Sequence, residues 1–523
     1  MLPTANFKTD FQEEWLEFHG IMTFSTYRRV LKSQYRLRQL LRDDRFLDEP
    51  EAIRFLKLPE NDLRYTPDLK GWLSYIVDIE PEFGGRLLNA SRHGTFPALP
   101  RRNHTVIAAP NGWGKSELLK ALAFHDIQHP GASLVVVEPR GDMVGQLARF
   151  PEVVAGDRLV LLQPELAPGM YPCLNPLQVH GLDAVGKARY ASTLAGALSL
   201  IAGNDLSGHM ATVARACIRV LLDRPGSTLS DLAAMLTEPQ KSSHIVSSTA
   251  QSIRREKLVQ LGRNYYDGDL ADFFCSSFDS GSFKSSKSGL LARLNGLLMM
   301  PDFRAMTCGP STVDLESHIE ARKVILVNLS LLDNSARFAF GRLLLALIED
   351  IGQRRVRLGR EDRVPVQCII DEATMVVSPT MVSIINELRK YGIYLTLAQQ
   401  IIGQEFGADG RRVLNSVGCK FAGGESRREL VSMFEGEADK LDALKHGEFW
   451  VKWGRTAPVR LQVRSDLKDD TYSVPEGVWD KVKTAQLRAF YRPLADATAS
   501  APIATPKPIL RTALQPWQAL REG

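Results

Sequence analysis

Gly114, Lys115 and Ser116 set a glycine, an ammonium and a hydroxyl in succession, with Gly112 two residues earlier. Glycines let backbone N–H groups converge on phosphate oxygens, a lysine there neutralises the outer phosphates, and a serine hydroxyl ligates Mg2+. "AAPNGWGKSELL" (108–119) therefore reads as a phosphate-binding loop for ATP, with Asn111, Gly112, Trp113, Gly114, Lys115, Ser116 and Glu117 as the nucleotide-contacting set. Ala109 stands where the pattern places its first glycine, and a methyl group fits there if φ is negative. Trp113 is the unusual member. It is expected to pack against a neighbouring subunit or to stack near the nucleotide, so that its loss changes ATP affinity or ring assembly.

Far downstream, "VQCIIDEA" (366–373) ends an apolar run in two carboxylates. Asp371 suits the Mg2+ shell together with Ser116, and Glu372 suits the polarising of an attacking water. In "NELRKYGIYLTLAQQ" (386–400) a second apolar run ends in Gln399 and Gln400. A glutamine at the tip of a strand beside the acid-bearing one can sense a γ-phosphate or position water, the role given to Gln400. Arg389, just before that strand, suits a finger that stabilises transition-state charge in a neighbouring subunit's site, which requires a ring. The catalytic candidates are thus Glu372, Gln400 and Arg389.

These residues need rigid elements to hold them. "TVIAA", "SLVVVE", "RLVLLQ", "KVILVNL", "VQCIID" and "GIYLTLA" are short, fully apolar runs, the pattern of strands covered by helices on both faces. "SELLKALAFHD" directly after the loop reads as a helix whose N-terminus faces the anion. The expected fold is α/β, a doubly wound core (101–178 and 319–465) with a mostly parallel sheet. Residues 179–318 have helical periodicity and read as an all-helical insertion. Residues 1–100 read as a small, mostly helical region, and 466–523 as a partly disordered C-terminal extension whose Ala-, Pro- and Thr-rich end, from about Tyr491, is a flexible tail.

Composition sets outer bounds. The 523 residues suffice for several folding units, and 44% hydrophobic with 24% charged content is that of a soluble globular protein. No run reaches the ~18 apolar residues of a membrane helix, and the N-terminus does not read as a secretory signal, so cytoplasmic residence is expected. Six cysteines without ligand spacing read as buried thiols, and the net charge of +5 tolerates a polyanionic partner without demonstrating one. Lys284, Lys287 and Arg293, and Arg354, Arg355 and Arg357, form basic stretches that read either as DNA contacts or as solvated faces.

Together with "LVVVEPRGDMVGQL", the "NPL" of 175–177, "NSVGCKFAGG" and the closing "GEFWVKWGRTAPVRLQV", these motifs resemble in order the FtsK/HerA superfamily of ring ATPases. The likeness is greatest to HerA-like and TraG-like conjugative coupling ATPases of type IV secretion. It implies a RecA-like P-loop NTPase core assembling as a homo-hexamer that drives DNA, duplex by preference, through its pore. Lys115 and Ser116 match the Walker A pair, Asp371 and Glu372 the Walker B pair, Gln400 the sensor, and Arg389 the arginine finger. The implied partners are a relaxase, a nuclease or a secretion channel, with recruitment to the inner membrane through them. Two departures stand out: Ala109, and Lys420 with Ala422 where many relatives carry an arginine, which leaves Lys420, Arg427 and Arg428 as candidates for a second trans cation. An ATP-dependent scaffold with little turnover, a motor with protein cargo, and a HerA-like motor serving a nuclease in repair or defence are the competing readings.

Overall fold

The computed structural model describes residues 103–494 except 129–130, 200–205, 240–249, 361, 374–386, 401–416, 425–433, 435–443, 454–457, 464–466 and 468–471. The helical region read in residues 1–100 and the tail beyond 494 lie outside the described residues. The chain divides into two compact units, one holding 103–172 and 312–492, the other Cys173–Ser311.

The first unit is built on one sheet. In chain order its strands are β1 (Thr105–Ala108), β2 (Ser133–Glu138), β3 (Leu159–Leu162), β5 (Val324–Asn328), β6 (Val366–Ile370), β7 (Ile393–Gln399), β8 (Cys419–Ala422), β9 (Glu448–Trp453) and β10 (Val459–Gln462); the short β4 (Met170–Pro172) stands apart. Among the described residues the sheet order is β10-β9-β8-β1-β7-β6-β2-β5-β3. The pairings from β8 across to β3 are parallel, and β9 runs antiparallel to both its neighbours. Every residue of β1, β2, β3, β5 and β6 is buried. Sheets covered on both faces select such unbroken Val/Ile/Leu runs.

Helices α1 (Lys115–Gln128), α2 (Asp142–Leu147) and α3 (Pro151–Ala155) follow β1 and β2. The sequence puts β7 far from β1, yet it pairs between β1 and β6, with Ala108 opposite Gln399 and Ile370 opposite Leu397. That register brings the loops leaving β1, β6 and β7 to one edge, the carboxyl edge where open α/β sheets bind ligands.

The second unit is helical: α4 (Ala184–Ser199), α5 (Gly208–Leu222), α6 (Leu229–Leu236), α7 (Ala250–Arg263), α8 (Gly268–Asp272), α9 (Gly281–Leu298) and α10 (Pro301–Thr307). Local chemistry fixes the starts. Ser207 accepts from Met210 N, and at α6 the Thr228 backbone N–H donates to Asp231 in a reciprocal capping box. Of the six cysteines five are buried as expected, but Cys275 is exposed. The first unit continues with α11 (Leu315–Glu320) and α12 (Asn334–Arg354), the latter capped by Asp333 on Ser335 N and Ala336 N, and ends on α13 (Glu476–Phe490) and β11 (Tyr491–Pro493). This helix lies in the C-terminal extension, ahead of the tail read from about Tyr491.

Candidate nucleotide site

The phosphate loop leaves β1 at Ala108. Ala109 is fully buried, donates its N–H to Gln399 O at 3.2 Å, and is not among the residues of positive φ. A side chain is tolerated there because the position does not need the positive φ that favours glycine. Gly112 (φ 77°) and Gly114 (φ 102°) turn the loop through the left-handed region that L-residues avoid. Leu118 N then donates to Gly114 O at 2.9 Å, starting α1.

Trp113 points into its own subunit. Its indole Nε1 donates to Glu448 O at 2.8 Å, its carbonyl accepts from Gly447 N at 3.1 Å, and its backbone N–H donates to Pro110 O at 3.3 Å. The side chain is 8% exposed and its ring fills the space that a Cβ at Gly423 would need. Both expectations for Trp113, a neighbouring subunit and stacking on nucleotide, give way to a third placement: it wedges the phosphate loop onto β8 and β9. The His446 ring adds a hydrogen bond with Gly112 O.

Lys115 is 7% exposed, and its Nζ lies 3.5 Å from Asp371 Oδ1 without a hydrogen-bond acceptor. A buried ammonium this poorly matched is costly without an anion, so the loop fits a polyphosphate and, with Ser116 and Asp371, its Mg2+. Asn111 and Ser116 are exposed on the loop. Glu117 is engaged elsewhere: Lys120 Nζ, itself buried, binds Glu117 Oε1 at 2.9 Å, Gln146 Oε1 at 2.6 Å and Leu467 O at 3.1 Å. The Lys120 ammonium thus ties α1 to α2, and the Glu117 carboxylate is held on its own helix.

Asp371 and Glu372 diverge. Asp371 is 2% exposed, donates its N–H to Val137 O, and accepts Glu372 N on Oδ1 at 2.9 Å. Glu372 adopts φ 48° and binds Arg140 Nη2 at 2.5 Å through Oε1. On the other side of β6, Gln399 is 2% exposed with neither amide atom hydrogen-bonded. Gln400, half-buried, is the next residue after β7.

Several residues of the site were not singled out by sequence. Glu138, at the end of β2, is buried and accepts Val144 N at 2.7 Å and Met143 N at 3.2 Å. Burial raises its pKa to about 7, against those two N–H groups and with help from the nearby Asp371 charge. Arg140 and Glu138 belong to the "EPRGD" segment, whose acid and base are the only signal that could have marked them.

Arg389 is not at this edge. It is exposed in the short 3-10 turn before β7, so the seven residues of that strand separate it from Gln399, about 20 Å at strand rise. The structure brings Lys115, Asp371, Glu372, Gln399 and Gln400 together and leaves Arg389 at the opposite end. Arg427 and Arg428 lie outside the described residues, and Lys420 sits on β8 opposite Val106 of β1. Of the basic stretches, Lys287 is fully buried on Asp279 (2.9 Å) and Glu238 (3.3 Å), Arg355 is 2% exposed on Glu320 (2.6 Å), and Arg354 pairs with Glu316 (2.6 Å) and Asp350 (2.9 Å). Those three are structural cations, and Lys284 and Arg357 are exposed.

A glycine loop after the central β1, an acid pair after β6, and a glutamine-tipped strand between them are arranged as in a RecA-like P-loop core. Solved structures with this fold include the plasmid coupling protein TrwB in complex with a non-hydrolysable ATP analogue (TM-score 0.52, 16% identity, covering 73% of this chain and 90% of that one). TrwB with a GTP analogue gives 0.51 at 16% identity over 72% and 89%, and the unbound conjugative coupling protein TrwBdeltaN70 gives 0.50 at 14% over 78% and 93%. At such identity the likeness is one of fold, and it is the fold expected from the motifs. No family model matches the chain, and no curated protein matches its sequence.

Proposed function

We propose that the protein is an ATPase of the conjugative coupling type, a ring-forming motor that uses ATP hydrolysis to move DNA. The observation that carries this reading is the convergence of Lys115, Asp371, Glu372 and Gln399 on one sheet edge, with β7 inserted between the loop strand and the acid strand. Lys115 and the loop N–H groups hold the phosphates, and Ser116 and Asp371 hold Mg2+, which when bound neutralises charge on the phosphate oxygens. Glu372 takes the proton of the attacking water, and Gln399 or Gln400 reads the terminal phosphate from the strand between. Arg389, exposed and far from its own site, serves a neighbour's site in a homo-hexamer, as the arginine finger of the implied family does.

That TrwB is a coupling protein and has been captured with a non-hydrolysable ATP analogue supports ATP and the conjugative setting. Among the described residues no helix is long and apolar enough to cross a membrane. One observation favours a second reading, a motor with protein cargo: Lys287, Arg354 and Arg355 are consumed in ion pairs, leaving fewer cations for a phosphate backbone. The test is steady-state ATP hydrolysis with duplex DNA, single-stranded DNA or none. Stimulation by either DNA, lost in Lys115→Ala, supports the DNA motor; hydrolysis indifferent to both points to other cargo, and ATP binding without hydrolysis to a scaffold.

A further inference from the structure

The placement of Arg140 has a bearing on when Glu372 can act, given the ATPase reading above. In the sheet order, β6 has β7 and then β1 on one side and β2 on the other. The phosphate loop follows β1, whereas Arg140 follows β2. Asp371 turns toward the loop, reaching to within 3.5 Å of Lys115 Nζ, and Glu372 turns the other way, binding Arg140 at 2.5 Å. The φ of 48° at Glu372 is uncommon for a residue with a Cβ and costs of order 1 kcal/mol, which this turn away from the loop has to offset.

Arg140 is presented by a rigid loop. Glu138 accepts Val144 N and Met143 N at the start of α2, which fixes the backbone on one side. Gly141 (φ 94°) fixes it on the other, where an added Cβ would lie 2.7 Å from Asn328 Oδ1 and 2.8 Å from Ser330 Oγ. Asn328 is itself tied, accepting Ser330 N and donating to Gln163 Oε1. A loop held this firmly places a cation beside Glu372 and away from the phosphates.

We propose that Arg140 is a positioning residue that latches Glu372 in an unproductive orientation, so that turnover requires the Arg140–Glu372 pair to open. A carboxylate oxygen engaged by a guanidinium N–H is not free to accept from a water, and this one also points to the wrong strand. The Arg140 side chain is 55% exposed and that of Glu372 27%, so the pair is a weak, solvent-screened one that can open in each cycle.

The test is steady-state ATP hydrolysis by the full chain without DNA, comparing wild type, R140A, R140K and R140A/E372Q. The latch predicts that R140A raises kcat by about two- to fivefold, the value of one half-exposed ion pair, with KM for ATP altered less than twofold. R140K, which keeps a charge but not the fork, gives an intermediate rate, and E372Q abolishes the gain. A fall in kcat in R140A beside an active wild type overturns the latch alone, because Arg140 would then be holding the base productively. No hydrolysis by wild type and by R140A, both binding ATP, overturns the latch together with the ATPase reading. A rise in R140A that persists with E372Q also overturns the latch, since the gain would not run through Glu372.

Discussion

The wedge of Trp113 against Gly423 makes a prediction whose size can be worked from the contacts. A methyl on Gly423 would lie 2.5 Å from Trp113 Cδ1, 2.7 Å from Phe449 Cε1 and 2.8 Å from Trp113 Nε1, all on ring atoms that packing holds in place. Gly423 is not among the glycines of positive φ, so alanine meets no backbone obstacle and its cost is overpacking alone, about 1–3 kcal/mol. Trp113→Ala removes an indole 8% exposed and costs about 3–5 kcal/mol, of which roughly 1 kcal/mol is the lost bond to Glu448 O. In the double variant the new methyl meets only Phe449, so the Gly423→Ala penalty largely disappears. The two changes should therefore be non-additive by about 1–2 kcal/mol in the stabilising direction. Chemical denaturation of the full chain, wild type, both singles and the double, measures this coupling. Additivity within about 0.5 kcal/mol would show that Trp113 does not pack on Gly423 and would refute the wedge. Trp113→Ala also releases the loop from Glu448 O and from its packing on β8 and β9 and should weaken ATP binding, whereas Trp113→Phe, which keeps most of the apolar contact, weakens it less.

Further outcomes follow from the same contacts. Glu138, with its pKa raised to about 7, and Glu349, raised to about 7 by burial and by the charges of Glu387 and Asp350, bind more protons folded than unfolded between pH 4.5 and 7. Stability therefore falls as pH rises through that window, by at most about 3 kcal/mol per group, and Glu138→Gln should remove its share of the slope in denaturation curves taken at pH 5 and pH 7.5. Lys287→Met should lower the stability of the helical unit by only about 1 kcal/mol, because Asp279 is partly exposed and keeps Arg255 and Arg263, and it should leave the salt dependence of any DNA binding unchanged. Lys284→Ala, at an exposed position about one turn before Lys287 on α9, should reduce that salt slope if α9 meets DNA, as read by binding titrations at several salt concentrations.

Much of the ATPase fold is written locally. Runs such as "SLVVVE" and "VQCII" leave no residue that water could pay to expose, so they are central strands, and β2 occupies the very residues 133–138 that the apolar run spans. Gly114, Lys115 and Ser116 could be placed because the chemistry of phosphate binding needs those types in that order. What stayed hidden depends on partners distant in sequence. The inward turn of Trp113 requires the absence of a side chain at Gly423, and the Arg140–Glu372 pair requires β2 to lie beside β6 together with a left-handed backbone at Glu372. Charge was the most misleading signal, because Lys287 looks like a surface cation until Asp279 and Glu238 close around it. The choice between Gln399 and Gln400 turns on which is the final residue of β7. It is Gln399 that is buried with its amide unpartnered, and Gln400 that follows the strand.

The central claim is that the edge joining β1, β7 and β6 hydrolyses ATP through Glu372, and the most direct test is to separate binding from turnover in Glu372→Gln. Equilibrium ATP binding and steady-state hydrolysis are measured on the same preparation of wild type and variant, with Mg2+ present. The account predicts that the variant binds ATP as tightly as wild type, or more tightly, while kcat falls by a factor of roughly 100 or more, the usual share of a positioned general base. A variant that hydrolyses ATP at the wild-type rate would contradict it.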